Sequence, residues 1–182
     1  MPLSSTPPPG QGPRYSAAQL IELLQHEAHV EGGYYRRTCD ASHRTTIDTG
    51  DGERLLMSSI YYCLTEQSPV GHFHLNKSDI VHFFQLGDAV NYYLIYPDGR
   101  LDTHTMGPCL DAGQVLQLMV PGGVWKASRL SVGGPHGYGL VSEAVSPGFD
   151  YEDMTLGDRT LLTAAFPGHA ELLEQLSRVT DH

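Results

Sequence analysis

The sequence predicts an all-β fold, a two-sheet sandwich or closed β-barrel with a short helix at each end, and three observations predict it. Roughly nine short runs rich in β-branched and aromatic residues are punctuated by Gly, Pro, Asn and Asp clusters. The 20 glycines and 12 prolines, with a charged fraction of only 18%, suit many turns and a sheet better than a helical bundle. No helical periodicity separates the central runs, which disfavours a parallel α/β architecture. At 182 residues the chain can bury one good core, so residues 15–180 are expected to form one domain behind a Pro-rich tail at 1–14.

Taken in order, the tail carries four prolines in its first nine residues and lacks the apolar surface to order itself. Ser16 with Gln19 makes a capping-box pattern, and Leu20, Ile21, Leu23 and Leu24 form a stripe. A helix from Ala17 to about His26, packed outside a sheet or across its mouth, follows. Gly32-Gly33 permits a tight turn before the strand-like Tyr34-Tyr35-Arg36-Arg37. Strands are expected at 55–64, around His72 and His74, at 80–85, 89–96, 100–106, 115–120, 124–129 and 138–145. Pro97-Asp98-Gly99 closes a hairpin, Pro121-Gly122-Gly123 joins a further pair of strands, and Leu172, Leu173 and Leu176 mark a closing helix.

Composition removes several function classes. The formal charge is -10, and Lys77 and Lys126 are the only lysines beside nine arginines, so neither a nucleic-acid nor an acidic-membrane surface is expected. Cys39, Cys63 and Cys109 show no C-x-x-C spacing, which suits a reducing compartment rather than a disulfide framework. The N-terminus lacks the basic start and apolar core of a secretory signal, and no run reaches transmembrane length. A cytoplasmic protein is the expectation.

The chemistry concentrates between Gly71 and Asp88. On a strand His72 and His74 would project to one face and could converge on one ligand. Asp79 and His82 add a carboxylate and a third imidazole, donors suited to a transition metal. His82 shares a face with Phe84, so it either joins this site or hydrogen-bonds within the core. Of the alternating pairs Tyr34/Arg36 and Tyr35/Arg37, one is expected to face inward, offering a phenol and a guanidinium to a phosphate or carboxylate. Tyr62, Tyr92, Tyr93 and Trp125 are strand aromatics that either pack or stack on a planar ligand. The acidic segment 150–153 reads as a solvated loop or helix cap without chemistry.

The pattern His72-x-His74, Asp79, Gly87, Gly113 and Pro121-Gly122-Gly123 resembles the paired motifs of cupins, small jelly-roll barrels. More of the chain, through Glu31-Gly32-Gly33-Tyr34-Tyr35-Arg36, Asp79-Ile80-Val81-His82-Phe83-Phe84, Tyr96-Pro97-Asp98-Gly99, Val120-Pro121-Gly122-Gly123-Val124-Trp125 and 146–153, resembles a family of short single-domain cupins. That family was first catalogued as a domain of unknown function and is similar in fold to the deoxysugar-nucleotide epimerases called RmlC. Two positions depart from the general pattern: Lys126 stands where the last metal-binding histidine belongs, and counting back from Gly87 puts Ile80, not Asp79, at the carboxylate position.

The resemblance implies a jelly roll that commonly pairs as a homodimer through edge strands. The resulting expectation is a metal-independent small-molecule site with His72, His74, His82 and Lys126 as acid–base groups. Glu31, Tyr35, Arg36, Arg37, Tyr62, Trp125 and Glu143 would bind substrate, with Asp79, Glu143 or an anionic ligand as the partner of an inward Lys126. Isomerase or epimerase chemistry on a sugar-nucleotide-like or other anionic substrate follows. Two alternatives stand beside it: a divalent transition metal held by His72, His74 and Asp79 in an oxygenase or isomerase, and a non-enzymatic ligand-binding module.

Overall fold

The computed structural model describes residues 15–179, so the expected tail at 1–14 lies outside the described residues. In chain order the strands are β1 (Glu27–Ala28), β2 (Tyr34–Asp40), β3 (Ile47–Asp48), β4 (Glu53–Arg54), β5 (Ser58–Thr65), β6 (Val70–Asn76) and β7 (Asp79–Gly87). They continue with β8 (Val90–Ile95), β9 (Leu101–Met106), β10 (Gln117–Val120), β11 (Trp125–Leu130), β12 (Tyr138–Ser146) and β13 (Met154–Leu156). Helix α1 (Ala17–Leu23) precedes them, and α2 (Arg159–Ala165) and α3 (Ala170–Leu176) follow.

A six-stranded sheet runs β1-β2-β5-β12-β7-β10 and a five-stranded sheet runs β13-β6-β11-β8-β9, while β3 and β4 form a separate ribbon. Successive strands β5, β6, β7 and β8 alternate between the two sheets, the crossing pattern of a jelly roll, as expected. The Pro121–Gly123 turn differs from expectation. It does not pair its two strands, because β10 and β11 belong to different sheets.

The two-residue period of the strands sorts side chains into three apolar clusters. Between the sheets lie Leu64, Tyr92, Leu94, Val120 and Val141, all buried. Outside the six-stranded sheet, Leu20 of α1 covers Cys63, Tyr138 and Leu140. Outside the five-stranded sheet, Leu162 of α2 and Leu173 and Leu176 of α3 cover Phe73, Ile95 and Ala127.

The capping box of α1 forms as its sequence indicates: Ser16 Oγ accepts from the Gln19 amide at 3.3 Å, and Gln19 Oε1 accepts from the Ser16 amide at 2.9 Å. The helix stops at Leu23, short of His26, because Gln25 adopts φ 54° and Arg36 takes the Leu24 carbonyl. At the other end two helices replace the expected one, since Asp158 caps α2 by accepting from the Leu161 amide. Among the described residues no helix is long and apolar enough to cross a membrane.

Leu173 is fully buried at the seam of α3 with the sheet. Leu173→Ala is expected to lower stability by about 2–5 kcal/mol in urea unfolding. A loss below about 1 kcal/mol would show that α3 docks outside the cooperative unit.

Candidate functional site

The strand registers place four chemically active side chains inside the barrel. On β6 and β11 His74 lies opposite Lys126; on β12 and β7 Glu143 lies opposite His82. The two sheets therefore face each other with Lys126 on one and Glu143 on the other. Lys126 Nζ reaches Glu143 Oε2 at 3.7 Å and His82 Nε2 at 3.4 Å, and His82 Nδ1 sits 3.2 Å from Glu143 Oε1. These contacts fit a neutral His82 that accepts from the ammonium and donates to the carboxylate. Burial works to raise the Glu143 carboxyl, but Lys126 and His82 together outweigh it and hold it well below the ordinary carboxylate range. The Tyr92 hydroxyl, 3.4 Å from His82 Nδ1, closes this group from behind.

Glu31 enters from the loop before β2. Gly32, at φ 102°, lets that loop press on β6: a Cβ there would stand 2.2 Å from the Val70 carbonyl oxygen. The approach is fastened by the His72 amide donating to the Glu31 carbonyl at 2.8 Å and by Tyr62 Oη donating to the Gly32 carbonyl at 2.9 Å. It brings Glu31 Oε2 to 3.2 Å from His74 Nε2 and 3.6 Å from His29 Nδ1. His74 Nδ1 lies 2.8 Å from the His72 carbonyl, an acceptor only, so its proton is on Nδ1 and Nε2 offers a lone pair. Where His74 is neutral, the proton between it and Glu31 belongs to the carboxyl. Burial gives the same answer, pushing Glu31 up to about 8 and His74 well below its usual range. His29 accepts from the Glu31 amide at Nδ1, and burial lowers it to about 4, so it too is neutral.

Glu31, His74 and Glu143 open onto a cavity of about 250 Å³. Ile60, Ile80 and Val145 supply apolar wall and Asn76 a polar one; Tyr35, Arg37, Phe149 and Tyr151 line the way out to the exposed Tyr151 and Glu27.

The profile described as "Cupin superfamily (DUF985)" matches residues 18–157. The chain belongs to this family of cupins. An uncharacterised protein of Saccharomyces cerevisiae, YML079W, is 38% identical over 164 residues, covering 85% of this chain and 81% of that protein. Two solved structures are similar throughout. A hypothetical protein from Leishmania major has TM-score 0.83 and 30% identity over 90% of this chain and 99% of its own. Protein SO0799 from Shewanella oneidensis has TM-score 0.82 and 36% identity over 91% and 99%. Oxalate decarboxylase from Bacillus subtilis shares the fold alone, at TM-score 0.52 and 14% identity, covering 85% of this chain and 37% of its own.

In this cupin the expected site residues divide. His74, Glu31, Tyr35, Arg37 and Glu143 line the cavity; His82 and Lys126 are buried directly behind Glu143. The expectation that His72 and His74 share a face fails. Ser128 pairs with Gly71 and Lys126 with His74, so His72 and Phe73 of β6 oppose the single Ala127 of β11, and this bulge turns His72 toward the Leu176 backbone and Arg178. Arg36 faces outward, binding Gln25 and the Leu24 carbonyl beside α1, because Tyr35 and Arg37 hold the inward face. Trp125 packs in the outer cluster beneath α2 and α3, one residue out of phase with inward Lys126. Tyr62 is a core residue whose hydroxyl is spent on Gly32.

Sequence reasoning passed over His29, Glu27, Asn76, Phe149 and Tyr151. Asn76 falls within the Gly71–Asp88 stretch and Phe149 and Tyr151 within the 146–153 segment, which marked their neighbourhood but not their role, and His29 stands two residues before Glu31. The segment 150–153 takes the expected cap, Asp150 accepting from the Glu152 amide at 2.9 Å at the start of a 3-10 turn, and is more than a solvated loop. Asp153 is buried and accepts from Arg54 Nε at 2.7 Å and from a second guanidinium nitrogen at 3.0 Å, which holds Tyr151 over the cavity mouth.

The metal set His72, His74 and Asp79 does not converge. Asp79 is exposed, its Oδ1 accepting from the Gly122 amide, and His72 is turned away. Lys126 fills the remaining ligand position with a cation, and His74, Glu31, His82 and Glu143 are committed to one another. Among the described residues no group of three or more His, Cys, Asp or Glu is placed to hold a metal ion. The residues therefore do not fit a cupin metal.

Removing one member of the cross-barrel pair leaves a buried charge unpaired. Lys126→Ala is expected to cost about 3–5 kcal/mol in urea unfolding, and Lys126→Met with Glu143→Leu to recover most of it. A double variant as unstable as the single one would assign the loss to packing.

The Glu31 proton sets a sign for stability against pH. Its folded value near 8 exceeds the ordinary 4.5, so the folded state binds the extra proton and stability falls as pH rises across that window. His29, lowered from 6.5 to about 4, acts oppositely and is finished by 6.5. Thermal melts should therefore show stability declining between pH 6.5 and 8, and Glu31→Gln should flatten that decline; an equal slope in both proteins would place the proton elsewhere.

Proposed function

We propose that this cupin is a small-molecule enzyme of isomerase or epimerase type, in which Glu31 moves a proton on the carbon beside a carbonyl. The observation that carries the reading is a buried carboxyl at the cavity wall whose Oε2 lies 3.2 Å from His74 Nε2, the ring nitrogen that the His72 carbonyl leaves free. A carboxyl poised near 8 suits both halves of such a reaction, giving a proton as acid and, in its ionised fraction, taking one as base. His74 Nε2 accepts from the neutral acid and donates nothing, so it steers that proton without consuming it. Glu143, kept ionised by Lys126 and His82, contributes a fixed negative charge opposite the neutral Glu31, and such a split between two carboxyl groups separates their roles.

In this scheme the C–H bond beside the carbonyl breaks as its proton passes to ionised Glu31, leaving an enolate. A proton returned by solvent-exchanged Glu31 to the neighbouring carbon, with the hydroxyl proton passing from one oxygen to the other, gives the isomer, and a proton delivered by water to the other face of the enolate gives the epimer; neither changes the net redox state. Anionic parts of a substrate meet Arg37 at the mouth rather than the interior, because Arg36 faces out and Lys126 is neutralised by Glu143. Mn(II) centres are named for the oxalate decarboxylase of Bacillus subtilis, but at 13% identity that likeness speaks for the fold alone.

The test is exchange. In D2O, with a panel of hydroxy-aldehydes, hydroxy-ketones and nucleotide sugars, deuterium should appear at the carbon beside the carbonyl by NMR. Glu31→Gln should slow this by about 10²-fold or more with the fold retained. Ligands that stabilise the protein yet never exchange would overturn the enzyme reading in favour of a binding module.

A further inference from the structure

The chamber's hydrogen-bonding complement names the kind of molecule that fits it. Asn76 on β6 is buried, faces the chamber, and its Oδ1 has no hydrogen-bond partner among the described residues. A buried acceptor left so is destabilising, and a ligand donor relieves it. Glu143 is a second acceptor: an ionised carboxylate offers about four lone-pair positions, and His82 and Lys126 contact only one on each oxygen.

Among the described residues the cations near the chamber are held at its mouth or in an ion pair. The Arg37 Nε donates to Asp40 at 2.7 Å and a terminal nitrogen donates to the Phe149 carbonyl at 3.3 Å, while Lys126 is spent on Glu143 and His82. An anion inside would meet the Glu143 charge without a free counter-ion. The volume of about 250 Å³ holds roughly eight waters, the bulk of a monosaccharide. Ile60, Ile80 and Val145 offer the apolar patch that the C–H face of such a molecule needs.

We infer that the chamber takes a neutral polyhydroxy compound the size of a monosaccharide, read through its hydroxyl donors by Asn76 Oδ1 and the Glu143 carboxylate. This rests on the proton-transfer reading only for the carbonyl beside those hydroxyls; recognition itself is independent of turnover. A phosphate or nucleotide appended to the sugar would remain at the mouth beside Tyr35, Tyr151 and Arg37. The same acceptors disfavour dicarboxylates and small phosphate esters inside.

The experiment is binding, read apart from exchange. The full-length protein is titrated by saturation-transfer NMR and calorimetry with free aldoses and ketoses, with their deoxy analogues, and with small dicarboxylates as a control. Neutral sugars should bind, and loss of the hydroxyl facing Asn76 should weaken one of them about tenfold or more. Asn76→Leu should do the same, whereas Asn76→Asp, which keeps an oxygen acceptor, should retain binding; melting curves confirm that each is folded, and the deoxy series on the native protein decides the matter if Asn76→Leu is not. Dicarboxylates binding in preference to sugars, or deoxy analogues binding equally well, would overturn the inference. Sugar binding without deuterium exchange would sink the proton-transfer reading and leave this one standing, while exchange confined to compounds lacking hydroxyl donors would do the reverse.

Discussion

The contact between Lys126 and Glu143 across the barrel is the constraint on which the interior depends. Two charges taken from water into a protein core are tolerated only when each compensates the other and the remaining donors and acceptors are filled. Here Lys126 comes from one sheet and Glu143 from the other, and His82 bridges them. The pair fixes the facing of the sheets at this level and commits the lysine that stands at a metal-ligand position in the general cupin pattern. It also keeps Glu143 charged, while Glu31 keeps its proton because burial outweighs the pull of the Lys126 charge.

The second constraint is a close approach made by backbone. Glu31 is not on a barrel strand; it reaches the interior because Gly32 passes against the Val70 carbonyl where no Cβ fits. The hydrogen bonds that hold the loop down come from His72 and Tyr62, two residues whose value to the site is therefore positional. His72 serves twice, since its carbonyl also orients His74. Electrostatics and steric fit thus meet at Glu31: the loop delivers a carboxyl to a place dry enough to keep it neutral, and the tautomer of His74 leaves its lone pair for that proton.

A jelly roll presents inward side chains at fixed registers, and the chemistry depends on what occupies them. Around this chamber Lys126 and Glu143 neutralise one another, Glu31 and His74 meet as uncharged partners, and acceptors rather than cations face the interior. That arrangement suits a hydroxyl-bearing ligand and proton transfer.

By itself the sequence determined the architecture: alternating apolar runs, turn triplets and a capping box are local signals, and each formed close to where it was read. It also determined the type of residue at the site, since Glu31, His74, His82, Lys126 and Glu143 were all marked by chemistry, spacing or family resemblance. Only the tertiary structure decided which of them meet. A bulge between Gly71 and His74 shifts the face of His72 without any trace in composition, because one residue more or less in a strand reverses its side chains. The same one-residue phase put Lys126 inward and Trp125 outward. His29, Asn76, Phe149 and Tyr151 escaped notice because their roles depend on contacts across long sequence separations, and the protonation of Glu31 is a property of burial that no linear pattern records.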